Sequence, residues 1–316
     1  MKAIFSQIGF LIVYVIICLV SLLPLPLLYG LSLVLIVLPM RIAGYRRSVV
    51  ITNLARSFPE RSYDGIQQNV RDFYRYLGRL FAETVWLFTA SQKSVMKRFS
   101  IENPDLLEGL HQKGKSVVVM LPHMGNWEFL RACSCPLQGD ICGYGQQQLH
   151  MVYQKVNSPL FDKLIYTLRN RYKTGWKILE SKSAARFMAR HRDVPGIYAM
   201  VSDQCPGPSG KSIPVFFLGQ PTLMIEGPEA LARKFGFAVV YGVMIQVHRG
   251  RYVLRLSPIT ENAALSGEGE VTREFARLLE QDIRQTPHLW LWSHKRWKRT
   301  PQDKARYLHK DNNLQI

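Results

Sequence analysis

The architecture of this chain turns on one stretch, Ser116-Val117-Val118-Val119-Met120-Leu121-Pro122-His123-Met124-Gly125-Asn126-Trp127-Glu128. Its first half is an unbroken apolar run rich in β-branched residues. Such a run marks a strand covered on both faces, as in parallel sheets. Similar runs recur at Gly196–Met200, Ala238–Val243 and Tyr252–Leu256. Helical spacing separates or follows them at Pro159–Tyr172, Ser183–His191, Glu226–Lys234 and Thr272–Gln285. This alternation predicts an α/β fold with a mostly parallel or mixed central sheet flanked by helices. Upstream, Ser62–Ala90 and Leu106–Gln112 also read as helices.

The second half of the stretch carries the chemistry. His123 follows the buried strand directly, and open α/β sheets bind ligands at the carboxyl ends of their strands. The His-x4-Glu spacing to Glu128 is common by itself; its placement gives it weight. On an ideal helix, residues five apart point about 140° apart, so the two need a turn between them. Gly125 supplies a turn without steric penalty, and Asn126 fits the N-cap of a helix through Trp127, Glu128, Phe129 and Leu130. His123 is then expected to act as a general base whose tautomer Glu128 fixes. No G-x-S-x-G is present, so direct attack by a substrate hydroxyl is expected. Main-chain N–H groups at the helix start, or the Asn126 amide, are the expected oxyanion donors.

No charged residue lies between Ala3 and Met40. About 20 apolar residues cross a bilayer, and no small-x-small cleavage signal closes this run. Pro24 and Pro26 interrupt it. Ile4 to Leu23 is the best single span, and Leu25 to Met40 is a second short span or a helix lying against the membrane. Arg41, Arg46 and Arg47 follow, against Lys2 before, which places the body on the cytoplasmic side. The expected organisation is a membrane anchor over 1–40, a membrane-proximal helical region over 41–95, and a catalytic domain over 96–316.

With 41 Lys+Arg against 23 Asp+Glu, the formal net charge is +18, which points to an anionic partner or surface. The five cysteines are odd in number and lack CxxC spacing. A disulfide framework is not expected, nor a metal at Cys133, Cys135, Cys142 and His150, and no cofactor is expected. The basic, aromatic stretch from Trp290 to Arg299 fits an interfacial belt, a nucleic-acid stacking platform, an acidic-partner dock, or tryptophans packed on the sheet.

Pro122-His123-Met124-Gly125-Asn126-Trp127-Glu128 resembles the His-x4-acid motif of the late, lauroyl/myristoyl acyltransferases of lipid A biosynthesis, a group within the wider glycerolipid acyltransferase superfamily. Further blocks agree in order. Val152-Tyr153-Gln154-Lys155 to Asp162 resembles the family's Tyr-Arg-Pro…Asn segment, with Gln154 at the Arg position and Arg169 and Arg171 following on the next helix. Ser202-Asp203-Gln204 matches an Asp-Gln-like turn, and Trp290 to Lys298 resembles the family's Trp-x-His-x-Arg-Phe-Lys ending. The resemblance runs from the N-terminal anchor to about Pro301. It implies transfer from an acyl-carrier-protein thioester to a 3-hydroxyacyl hydroxyl of a lipid A precursor at the inner membrane. His123 and Glu128 are then catalytic, and Asn126, Tyr153, Lys155, Arg169, Arg171, Asp203 and Gln204 are substrate-binding. Apolar positions after Glu128 and around Phe216-Phe217 are candidate walls of an acyl pocket. Two alternatives stay open. One is transfer to a lysophospholipid or aminolipid from carrier protein or coenzyme A, although Ile225-Glu226-Gly227-Pro228 matches the glycerolipid branch's Pro-Glu-Gly-Thr block only in part. The other is a non-catalytic basic protein tethered to the membrane, which no recognised nucleic-acid-binding signature supports.

Overall fold

A computed structural model describes residues 2–132, 141–172, 176–207 and 210–302. The chain opens with α1 (Lys2–Ser21) and α2 (Leu25–Ser32), then a π-helical segment (Leu33–Val37) that runs into α3 (Leu38–Ile42). Next come α4 (Arg47–Ser57), α5 (Tyr63–Trp86), α6 (Gln92–Met96), β1 (Phe99–Ile101), α7 (Asp105–Gln112) and β2 (Val117–Leu121). A 3₁₀ turn (Trp127–Ala132) follows β2. Then come β3 (Leu149–Tyr153), α8 (Pro159–Asn170), β4 (Lys177–Glu180), α9 (Ser181–Arg190) and β5 (Ile197–Val201). The chain continues with β6 (Ser212–Phe217), β7 (Gln220–Ile225), α10 (Gly227–Phe235), β8 (Ala238–His248), β9 (Arg251–Thr260) and α11 (Glu270–Gln285).

Seven strands form one sheet in the order β1-β9-β8-β2-β5-β3-β4, and β6 and β7 form a separate hairpin. Every neighbouring pair in the large sheet is parallel except β8–β9. The expected mixed α/β architecture is therefore what the chain adopts. β2 sits at the centre with all five residues buried, as its unbroken apolar run requires. Its alternate side chains face two cores. Val118 and Met120 join a cluster with Val50 and Leu54 of α4, Phe73 of α5, and Phe275 and Leu279 of α11. Val117, Val119 and Leu121 join another with Leu107 and Leu110 of α7 and Leu164 and Leu168 of α8.

Among the described residues, the stretch long and apolar enough to cross a membrane is Leu25–Ile42, and Gln7–Ser21 is a shorter apolar helix. The sequence placed the best span earlier, at Ile4 to Leu23. The interruption at Pro24 and Pro26 does not end the second run, because Pro at the start of a helix forfeits no hydrogen bond.

Candidate active site

β2 and β5 are parallel neighbours in register, with Leu121 opposite Val201. Ser202 N–H donates to Leu121 O at 2.8 Å and carries that register one step past the strand ends. His123 and Asp203 each lie two residues beyond the paired positions. They meet: Nδ1 of His123 lies 2.6 Å from Asp203 Oδ1, and His123 N–H donates to Oδ2 at 2.9 Å. Trp290 Nε1–H also donates to Oδ2, at 2.8 Å. Burial alone pushes the Asp203 carboxyl up, but the His123 ring and main chain and the Trp290 indole outweigh it and hold it at about 2. The carboxylate is thus ionised at neutral pH. It fixes the imidazole with Nδ1 protonated and leaves the Nε2 lone pair facing out. The Gln204 side-chain amide lies 3.3 Å from Nε2.

Glu128 occupies a different place. Its carboxylate takes two hydrogen bonds from Arg169, Nε to Oε2 at 3.0 Å and Nη2 to Oε1 at 2.5 Å. It also accepts from Trp127 Nε1 at 3.1 Å. The Trp127 ring meets the His123 ring edge to face, with centroids 4.9 Å apart. Glu128 therefore reaches His123 through the indole, and the tautomer-fixing role expected of Glu128 falls geometrically to Asp203. The 3₁₀ turn explains the difference, because it carries the Glu128 side chain toward α8 rather than back toward the strand end. Burial works against the charge of Arg169, but the Glu128 carboxylate more than compensates and holds it further up. Arg169 O in turn accepts from Arg131 Nε at 2.6 Å.

The turn between the two residues is built as the sequence indicates. Gly125 has φ +65°, and an added Cβ would lie 2.2 Å from Met244 O on β8, so only glycine fits. Gly125 N–H donates to Leu289 O at 3.1 Å, and Gly125 O accepts from Tyr76 of α5 at 2.7 Å. Asn126 Oδ1 caps the turn by accepting from Glu128 N–H at 3.2 Å. Its amide nitrogen donates to Glu83 Oε2 at 2.9 Å. Asn126 is fully buried, so its amide is not open to an oxyanion, contrary to that expectation. Glu83 also accepts from Tyr29 and Tyr252, each at 2.8 Å. Burial pushes the Glu83 carboxyl up, and these donors pull it only part of the way back.

The remaining candidates divide. Tyr153 stays with the cluster: its ring lies 5.1 Å from the Arg169 guanidinium, and its hydroxyl donates to Asp162. Lys155 is exposed and pairs with Glu180 at 2.9 Å. Arg171 points the other way, donating to Leu87 O at 2.9 Å and Ala90 O at 2.5 Å beyond the end of α5. Arg169 and Arg171 therefore do not converge on one ligand. Trp290 and Trp292 are buried, and Arg296 is fully buried against Thr222 and Leu223, so this basic stretch packs on the body. Trp290 is a residue of the site that the sequence reading left out. Cys133 and Cys135 lie outside the described residues. Beneath the sheet is a narrow apolar cavity of ≈ 20 Å³ bordered by Val119, Leu130, Ile197, Ala199, Leu254 and Leu256. Phe217 is buried and Phe216 is 72% exposed, and neither borders that cavity.

The sequence profile described as bacterial lipid A biosynthesis acyltransferase matches residues 3–299. The chain is 23% identical over 257 residues to the lipid A biosynthesis palmitoleoyltransferase of Escherichia coli (strain K12), an alignment covering 81% of this chain and 80% of that one. The lipid A biosynthesis acyltransferase of Shigella flexneri gives the same identity and coverage.

Proposed function

The chain belongs to the bacterial lipid A biosynthesis acyltransferase family, and from that premise we propose that it transfers a fatty acyl chain from an acyl-carrier-protein thioester to a hydroxyl of a lipid A precursor. The observation that carries the mechanism is the His123–Asp203 pair at the ends of two central parallel strands. His123 Nε2 takes the proton of the acceptor hydroxyl as its oxygen attacks the thioester carbonyl. The tetrahedral intermediate collapses with loss of the thiolate, which takes the proton from the imidazolium and leaves as the carrier thiol. Asp203 stabilises the imidazolium between the two steps. The incoming hydroxyl displaces the Gln204 amide from Nε2.

Glu128 acts with Arg169 as a closed ion pair that holds Trp127 against His123. Because Glu128 already neutralises Arg169, the guanidinium works as a positioning group rather than as a free anion receptor. The apolar cavity next to Leu130 marks the start of the acyl slot. At ≈ 20 Å³ it is far smaller than a fatty chain, so an entering chain must widen it by side-chain rotation. The apolar surface of α1 and α2–α3 holds the protein at the inner membrane, with the sheet on the cytoplasmic face.

The test is to incubate the purified protein with acyl-carrier or coenzyme A thioesters and either a lipid A precursor or a lysophospholipid, and read product masses. One acyl increment on the lipid A precursor, best supported by the carrier thioester, is expected. Acylation of the lysophospholipid alone would overturn the acceptor assignment.

A further inference from the structure

A cleft of ≈ 200 Å³ lies outside the reacting centre, between the apolar N-terminal helices, α5 and the β8–β9 turn. Tyr29, Ser32, Leu33 and Val37 line one side, and Arg75, Arg79 and Arg249 the other. No carboxylate is among its lining residues, and Glu83 lies behind Tyr29, close enough to Arg79 for that charge to pull its carboxyl down. Arg75 pairs with Asp72 at 3.1 Å, whereas Arg79 and Arg249 make no ion pair among the described residues. The Arg249 guanidinium lies 4.0 Å from the Tyr29 ring centroid, so the two lining side chains stack on each other.

The cleft has a defined shape. A Cβ at Gly78 would lie 2.4 Å from Val37 Cγ2, so glycine there admits the π-helical segment against α5. That segment departs from α-helical winding at the cleft itself, and such departures concentrate at functional sites. Gly250, at φ +68°, brings the β8–β9 turn close to the Tyr29 hydroxyl, where a Cβ would lie 2.6 Å away. The same hydroxyl donates to Glu83 and so fixes the floor.

The surroundings indicate what enters. The outer face of this helical run shows Leu27 59%, Val34 58%, Leu35 62% and Leu38 50% exposed, with Leu33 at the cleft rim, an apolar stripe suited to acyl chains. Across the cleft from this run stand Arg79 of α5 and Arg249 of the β8–β9 turn, neither in an ion pair among the described residues. Arginine at the centre of a bilayer is strongly disfavoured, which favours Leu25–Ile42 lying along the interface, apolar face down, over crossing it. The guanidinium groups then sit at the level of lipid phosphates. We propose that this cleft binds the phosphate of an anionic membrane phospholipid whose chains run along Leu33, Val34 and Leu38, seating the helix in the membrane surface. The inference rests on the membrane-bound reading given above, but not on the reaction.

The test uses the full chain in detergent, with bound lipid counted by native mass spectrometry after titration with phosphatidylglycerol or phosphatidylcholine. The wild type is expected to retain phosphatidylglycerol over phosphatidylcholine. Arg79→Gln/Arg249→Gln should weaken that retention on the order of 30-fold, from the contribution of two surface arginines. Arg249→Gln alone, on an exposed turn, should give part of the loss if the double variant does not fold, and Arg249→Lys should restore most of it. His123→Ala should retain the lipid fully, which separates this proposal from the catalytic one. Equal retention of the two lipids, or no loss in the arginine variants, would overturn it. So would displacement of phosphatidylglycerol by inorganic phosphate, which marks a free-anion site, or by the bisphosphorylated acceptor at matched concentration, which marks an acceptor site.

Discussion

Asp203 holds His123 twice, at the ring Nδ1 and at the main-chain N–H, and the proposed mechanism needs its charge. Asp203→Asn keeps the shape but presents an amide to Nδ1, which favours the wrong tautomer. A loss of roughly 10²–10⁴ in turnover is expected, by analogy with carboxylates in other His-centred sites, with a modest fall in melting temperature at neutral pH, where the ionised carboxylate stabilises the fold. Glu128→Gln should act differently. It breaks a buried pair and leaves Arg169 uncompensated, so a loss of about 3–5 kcal/mol in stability is expected alongside lower activity. Denaturant melts of the two variants check this; a Glu128→Gln protein as stable as wild type would contradict the pairing. Gly125→Ala forces a side chain into Met244 O at positive φ, and both melting temperature and transfer should fall.

At the level of elements, the central strands were readable because each is covered on both faces and so must be continuously apolar. β2, β5 and β8 stand where their runs predicted, with β8 continuing past its run to His248. β3 and β4 escaped notice because they sit toward the sheet edge and carry charged or polar residues such as His150, Lys177 and Glu180. The β6–β7 hairpin contains Pro214 and Pro221, which speak against a strand when read without partners. The turn at Gly125 and the cap at Asn126 were also legible, since a helix start after a strand favours those residue types. The partner of His123 was not. Asp203 lies eighty positions away, and only the parallel register of β2 with β5 brings it to the ring. A sequence read alone favoured the near carboxylate, Glu128. The apolar cavity between β2, β5 and β9 yields a prediction at the same scale. Ala199→Leu narrows it, so product mass should shift toward shorter acyl chains, and an unchanged chain profile would place the slot elsewhere.

For the whole molecule, pH dependence of stability follows from two histidines, the buried His150 and the half-buried His294. Burial, with Lys177 and His191 nearby, holds His150 down at about 4 from 6.5. Burial is also the main cause at His294, likewise held at about 4, where Nε2 accepts from Cys205 N–H. The unfolded chain takes up these protons as pH falls through 6.5, while the folded chain resists until about 4. Stability is therefore complete above 6.5, declines across that window and levels off near 4. Asp203 adds a separate loss at lower pH, between its ordinary 3.8 and about 2. Thermal melts in detergent between pH 7.5 and 4.5 should show the decline, and His150→Phe should remove part of its slope; a flat profile would refute the account of these two groups. Val37 of the N-terminal run, Phe73 of α5 and Met120 of β2 pack in one apolar cluster, which ties the N-terminal helices to the sheet.

The central claim is that His123 removes the acceptor proton. The most direct measurement is the initial rate of acyl transfer to a lipid A precursor by His123→Ala beside wild type, with melting curves for both. A rate at least about 100-fold lower, from a protein that still melts cooperatively, is expected of a lost general base. Transfer at the wild-type rate would contradict the mechanism outright.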